Sequence, residues 1–421
     1  MLRFAVVHLA FLIPCSALDT LVVFRARSRN TYGFGTEEGF TLPSLSLKSC
    51  KDLREHEVEF NAAPGGECFL KLSCDAEHAK AAVSRSILCF GLYEVCGEGR
   101  TFSAALKSCS IPPHWIEPFG SWRGEVTRCG QSNSLDQHAF RGKLATFVGK
   151  LEAGDSKRCL DSAPQKIVSL LGDDYFYIGR QVAMGPAAGR SGCYSSSQRR
   201  PRAGYLGLHA LNKRPYTTKT ALEPEIAFIM CNIADVGVTD AVLDPCCGSG
   251  SVLLAARQLG AECVFGADID PQQLQQEKVA MNFRALKLRQ PDQLVIAAVE
   301  NLEGLLGDQK FSAIIVDPPY GIKAQAKGSS DADSDSERVI QAILSLAAGR
   351  LTSDGRLVML IPAPGAGTGK EVPGMKALEE MGLVCSAMVK QAFTPTFCRW
   401  LARTLPPKSI QPAKIQNLYP C

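Results

Sequence analysis

The order of apolar and polar positions divides the chain into two halves with different rhythms. In the first half, Cys68 to Cys74 alternates and predicts a strand. Asp75 suits a helix N-cap, Ala76 to Arg85 is rich in helix formers, and Ile87 to Val95 predicts a second strand ending near Gly97. Strand, helix and strand in that order make this an α+β domain. Phe4 to Phe11 is expected to be an earlier buried strand, and Leu21 to Phe24 is again apolar and β-branched. Residues 30–66 read mostly as loop. Signals weaken over 101–170, where Trp122 to Thr127 and Lys143 to Leu151 are expected as strands and Pro164 to Leu171 as a short helix.

Beyond residue 225 helices and apolar strands alternate. Helices are predicted at Glu225–Ala234, Ser251–Leu259, Pro271–Leu286 and Glu337–Leu351. Strands are predicted at Ala241–Leu243, Cys263–Ala267, Leu294–Val299, Ala313–Val316 and Arg356–Ile361. This βαβ rhythm predicts a doubly wound parallel sheet in an α/β fold. The expected division is an N-terminal region (1–174), a basic lead-in (175–222) and an α/β domain (223–421). Gly328 to Glu337 is expected to be an acidic, polar loop.

Bulk composition narrows the classes. The 421 residues are 46% hydrophobic and 21% charged, which excludes a disordered or fibrous chain. The net charge of +4 means that any basic surface is local. Residues 175–222 contain no Asp or Glu but include Arg199, Arg200, Arg202, Lys213 and Arg214. Such a one-sign stretch suits phosphate contacts, and equally a solvated face or linker. The 17 cysteines form no CxxC pair and no zinc spacing, so reduced thiols of a cytoplasmic protein and no metal are expected. No apolar stretch is long enough for a convincing membrane span. Arg3 to Ala17 also has the outline of a short signal peptide, but His8 interrupts the apolar run and favours the strand.

Four motifs carry candidate chemistry. Asp244-Pro245-Cys246-Cys247-Gly248-Ser249-Gly250-Ser251 lies where a strand meets a helix. Gly248 and Gly250 permit a tight turn close to a ligand. A glycine loop alone would also serve a nicotinamide dinucleotide. Asp244, opening the loop, favours the cationic sulfonium and ammonium of S-adenosylmethionine over a pyrophosphate. Asp268, in Gly266-Ala267-Asp268-Ile269-Asp270-Pro271, falls at the next strand end, where a carboxylate can accept from ribose hydroxyls. Ile269 is placed to pack on an adenine, and Asp270 to cap the following helix. Glu300-Asn301 follows the third strand and is a candidate for the adenine amino group. Asp317-Pro318-Pro319-Tyr320-Gly321 follows an apolar strand. Its two prolines hold the backbone rigid, and Asp317 with the next carbonyl offers two acceptors for an –NH2 group. Tyr320 offers a face on which to stack a flipped base. A structural turn is the alternative. Cys246 and Cys247 lie in the cofactor loop and are read as packing residues, not as nucleophiles.

The Asp-Pro-Pro-Tyr motif with the Asp-Pro-x-x-Gly-x-Gly loop resembles the class I amino-methyltransferases. More narrowly, the chain resembles the catalytic subunits of tRNA guanosine-10 N2-methyltransferases. The closer likeness lies in Val7-His8-Leu9-Ala10-Phe11 with Pro14, in Ser86 to Gly99, in Lys213 to Leu222, in Asp317 to Ile322 and in Arg399 to Thr404. It implies a THUMP-containing half that holds tRNA, then a Rossmann-like methyltransferase domain. It also implies a small zinc-binding activator subunit as partner. The lead-in Lys213 to Leu222 brings Tyr216 and Thr220 to the cofactor side. The loop departs from the family's Pro-Phe-x-Gly-Thr-Gly-Gly, and Glu300 stands where Asp is usual. The expected reaction is direct methyl transfer to a guanine 2-amino group in tRNA. Ribosomal RNA, DNA and a non-catalytic RNA-binding role are the alternatives.

Overall fold

The computed structural model describes residues 20–24, 59–65, 69–73, 76–112, 115, 121–129, 137–149, 157–158, 165–172, 174–185, 205–319, 331–363, 378, 380–392 and 398–405. The strand or leader expected at the N-terminus lies outside them, as do Arg199, Arg200, Arg202 and Tyr320.

Among the described residues, the first half is one eight-stranded sheet with three helices. Its strands are β1 (Thr20–Phe24), β2 (Glu59–Ala62), β3 (Phe69–Ser73), β4 (Cys89–Gly99), β5 (Ser121–Arg128), β6 (Lys157–Arg158), β7 (Gln165–Leu171) and β8 (Phe176–Met184). They run in the order β2-β3-β1-β4-β8-β7-β5-β6. The helices are α1 (Ala76–Arg85), α2 (Phe102–Ser108) and α3 (Gln137–Gly149). The β3-α1-β4 unit is the expected one. Three expectations are corrected. Residues 165–171 form a strand, not a helix, because Ile167 and Leu171 pack into one cluster and Val168 and Leu170 into another, the period of two that a strand requires. Residues 143–149 are helical, because Phe140, Leu144 and Phe147 share one face and one cluster. Part of the expected loop, residues 59–62, pairs with β3.

β8 carries the first sheet past residue 174 to Met184. Arg180, from the acid-free segment, is therefore a sheet residue. It lies opposite Glu94 in the β4–β8 register, bonds it through two nitrogens at 3.0 and 2.6 Å, and stacks 5.1 Å from the Trp115 ring centroid. Both nitrogens donate to one largely buried carboxylate oxygen, Glu94 Oε2, which fixes geometry and removes Arg180 from the set available to a polyanion.

The second half is a seven-stranded sheet. Its strands are β9 (Ala241–Asp244), β10 (Cys263–Asp268), β11 (Gln293–Ile296), β12 (Phe311–Val316), β13 (Leu351–Ala363), β14 (Val384–Ala392) and β15 (Cys398–Leu405). The order is β11-β10-β9-β12-β13-β15-β14; β9 to β13 are parallel, and β15 is antiparallel to both its neighbours. The helices are α4 (Tyr205–Leu208), α5 (Pro224–Ile233), α6 (Ser251–Gln258), α7 (Gln276–Ala285), α8 (Leu302–Leu305) and α9 (Asp331–Arg350). Alternate residues of one strand enter different cores. Ala313 and Ile315 join α5 and α6, whereas Ile314 and Val316 join α8 and α9. Both faces are covered, so the strand reads as an unbroken apolar run.

Two helix starts differ from expectation. α9 begins at Asp331, inside the expected acidic loop. α7 begins at Gln276 rather than Pro271, for a reason found at the site below.

The two halves share a core. Leu70, Leu72, Val83, Ile87 and Leu92 of the first pack in one cluster with Ile226, Phe228 and Ile229 of the second. Each such buried side chain stabilises by about 1.5–3 kcal/mol. Arg85 Nε donates to Asn232 Oδ1 at 3.0 Å, and Asn232 returns a bond to the Arg85 carbonyl at 3.2 Å. Arg85 also donates to the Val236 carbonyl.

Candidate active site

The C-terminal ends of β9, β10 and β12 open into one cavity of about 470 Å³. This is the crevice where parallel α/β sheets bind ligands. Asp244, the last residue of β9, is 3% exposed and accepts the Cys246 amide at 3.1 Å. Burial pushes its carboxyl well above the usual range, and Asp268 and Asp317 add to the rise. The Cys247 amide bonds the Ala267 carbonyl at 2.7 Å, which ties the loop to β10. Gly248 and Gly250 have φ of +49° and +84°. A Cβ on Gly250 would also stand 3.1 Å from Val279 of α7, so glycine is required there.

Asp268 ends β10. Its two oxygens accept the Gly248 amide at 2.8 Å and the Asp270 amide at 2.9 Å, which joins loop and strand end through one carboxylate. Burial raises its pKa, against the pull of those two amides. Asp270 accepts the Gln272 amide at 2.8 Å and caps a single turn. The turn does not run on into α7 because Tyr216 Oη is shared between the Gln272 and Gln273 carbonyls, at 3.0 and 2.7 Å. A helix would need those carbonyls for its own amides. The turn instead presents Gln273 to the cavity, where Thr220 Oγ1 donates to it at 3.0 Å.

Asp317, Pro318 and Pro319 form the wall above β12. Ile269 and Glu300 complete the rim on the β10–β11 side; Ile269 is 68% exposed, an apolar face left to water. Arg338 of α9 stands opposite, its Nε 3.5 Å from Glu300 Oε1. The cavity thus brings together Asp244, Gly248, Asp268, Ile269, Glu300, Thr220, Asp317, Pro318 and Pro319.

Other candidates fall elsewhere. Gly250 shapes the loop from behind, and Asn301 does not line the cavity. Tyr216 is a brace rather than a lining residue: besides its hydroxyl bonds, its backbone is held on both sides by Asn282 at 2.9 and 2.8 Å. Lys213 is exposed. Arg214 is corrected: it is buried, donating to Ser251 Oγ at 2.7 Å and to the His209 carbonyl at 3.1 Å. Burial pulls its pKa down to about 10. It fastens the lead-in to α6 and does not present a cation to a polyanion.

Several lining residues were invisible to sequence reasoning. Thr218 Oγ1 and Ser249 Oγ both line the cavity, buried and without a hydrogen-bond partner. Buried hydroxyls left unmatched on a cavity wall are free to bond a water or a ligand there. Only the lead-in likeness pointed near Thr218, and Ser249 lies in the glycine loop without a role of its own in the sequence reading. Cys247 is buried in the core, and burial together with nearby carboxylates pushes both loop thiols up. Thiolate is disfavoured, which agrees with packing rather than nucleophilic roles.

Residues 212–366 match the family model UPF0020, the RMKL-like methyltransferase domain. The chain is similar to the tRNA (guanine(10)-N(2))-methyltransferase of Saccharomyces cerevisiae, 25% identical over 67% of this chain and 65% of that one. It is 32% identical to the tRNA (guanine(10)-N2)-dimethyltransferase of Methanothermobacter thermautotrophicus over 36% of this chain and 41% of that one. It therefore spans less than two thirds of the length of these relatives. Among solved structures it is similar to TrmN from Thermus thermophilus, with a TM-score of 0.48, 16% identity, and coverage of 92% of this chain and 99% of that one. The matched segment 212–366 carries the glycine loop, the strand-end carboxylates and the Asp-Pro-Pro wall of the cavity.

Proposed function

We propose that this chain transfers a methyl group from S-adenosylmethionine to the 2-amino group of a guanosine in tRNA, with position 10 as the expected site. The observation that carries the reading is the charge lining of the cavity. Asp244, Asp268, Asp270, Glu300 and Asp317 line it, and Arg338 is the one cation among the described lining residues. Such a site favours a cation and disfavours a pyrophosphate. The unmatched hydroxyls of Thr218 and Ser249 suit the polar amino-acid end of the cofactor. Asp268 suits its ribose, and the exposed Ile269 its adenine. When bound, S-adenosylmethionine supplies a methyl carbon on a positively charged sulfur.

The remaining chemistry belongs to the chain. Asp317 and the Pro318 carbonyl accept from the two N–H groups of the target amine and direct its lone pair. Asp317 is also the acceptor for the proton that the amine loses as the carbon–nitrogen bond forms. Pro318 and Pro319 keep the two acceptors at a fixed separation. Tyr320 stacks the flipped base in this reading. The substrate rests on the resemblance and on the relatives' names, and the cytoplasmic location on cysteines that form no CxxC pair. No helix among the described residues is long and apolar enough to cross a membrane. A small zinc-binding activator subunit is the proposed partner. Support comes from β11, the outermost strand, where Ile296 is exposed, and from exposed Met281 and Leu305 on the helices before and after it.

The test is transfer of labelled methyl from S-adenosylmethionine to total tRNA, with and without that partner, followed by nucleoside analysis. Label in N2-methylguanosine is expected. Label only in ribosomal RNA or DNA would reject the substrate. Asp317→Ala should lower turnover by about 10²–10³-fold or more, the scale for losing one transition-state contact. Calorimetric cofactor affinity should stay within a few-fold; an equal loss of both would sink the role given to Asp317.

A further inference from the structure

Far from the cavity, β4 and the segment after α2 hold two thiols against each other. Cys96 Sγ and Cys109 Sγ are 3.1 Å apart. Their backbones are fixed before the sulfurs meet. The Ser110 amide donates to the Cys96 carbonyl at 2.9 Å, the Glu98 amide donates to Ser108 Oγ at 3.0 Å, and Ser108 Oγ donates to the Glu98 carbonyl at 2.9 Å. Gly97 makes the approach possible, since a Cβ there would stand 2.7 Å from Cys109 Cα. Both cysteines are free and partly exposed, so a small oxidant has access.

We propose that Cys96 and Cys109 are a reversible oxidation site, which hydrogen peroxide converts to a disulfide that pins α2 to β4. The Cys109 sulfur attacks one peroxide oxygen and the O–O bond breaks; the departing hydroxide takes the thiol proton and leaves as water, with a sulfenic acid on Cys109. The Cys96 sulfur then attacks Cys109, the S–S bond forms, and the hydroxyl leaves with the Cys96 proton as a second water. Each sulfur loses one electron and the peroxide gains both. Cys109 reacts first because the Cys96 thiol is engaged, also donating toward the Ile178 carbonyl at 3.4 Å. Closing the pair asks the sulfurs to approach from contact to a bond of about 2.0 Å. Rotation about the side chains accomplishes this while the paired backbone stays put.

The experiment titrates the folded full-length chain with hydrogen peroxide, unfolds it, caps free thiols and maps the peptides by mass spectrometry. The expected product is a peptide pair joined through Cys96 and Cys109 that dithiothreitol separates. Cys96→Ser and Cys109→Ser should each lose the link, with circular dichroism establishing that they fold; mapping of the unsubstituted chain decides the matter even where they do not. Separate caps on both sulfurs after peroxide, or Cys109 driven to sulfinic acid without a link, would overturn the proposal.

Discussion

Asp244 holds its carboxyl group where water does not reach, and ligand binding and stability compete there. Its folded-state pKa lies above the unfolded value, so its contribution to stability is fully present below the ordinary carboxylate range, about 3.9, and is lost as pH rises through the raised value. Asp244→Asn removes that loss. We expect the ligand-free protein to gain about 2–4 °C in Tm at pH 7, with the gain shrinking toward pH 4. Cofactor affinity should fall by about tenfold or more, the worth of a charge-assisted contact. Calorimetry and thermal melts at both pH values check this; a lower Tm at pH 7 would mean that the carboxylate is already balanced by the fold. The residues that sequence reasoning found here are those whose chemistry needs no neighbour. Asp244, Asp268 and Asp317 stand at strand ends beside prolines or glycines. Thr218 and Gln273 become site residues only because distant segments meet.

Among the elements, the turn at Asp270–Gln275 depends on a side chain far away in sequence. Tyr216→Phe would release the Gln272 and Gln273 carbonyls to α7. The expected cost is about 0.5–1.5 kcal/mol of stability. The cofactor KM should rise several-fold, with kcat nearly unchanged, because Gln273 and Asp270 shift and Asp317 does not. A fall in kcat at constant KM would place Tyr216 in the chemistry instead. The same tyrosine explains why the start of α7 was not legible from Asp270-Pro271, a capping signal that would ordinarily begin a long helix. Elsewhere in the second half, strands such as Ala313-Ile314-Ile315-Val316 were legible because a parallel sheet buries both faces. The first half was less so. Residues 165–171 alternate between two cores, and a run of seven does not separate strand from helix by composition. The Phe140, Leu144 and Phe147 spacing was a helix signal that a window opening at Lys143 cut in two.

At the scale of the molecule, the shared cluster and the Arg85–Asn232 exchange make the two halves mechanically one. Arg85→Ala should cost about 1.5–3 kcal/mol, the range for hydrogen bonds to a charged group. Urea unfolding followed by tryptophan fluorescence and by circular dichroism should give one coincident transition in the unsubstituted chain. Two separated transitions would show that the halves fold independently. The strand order has a further consequence, for synthesis. β15 is made after β13 and β14, yet it sits inside the sheet between them. Until residue 405 has left the ribosome, β13 shows an open edge and β14 lacks the neighbour it pairs with. Between the synthesis of β13 and that of β15 the nascent chain therefore carries a half-built sheet, a state exposed to mispairing with other chains.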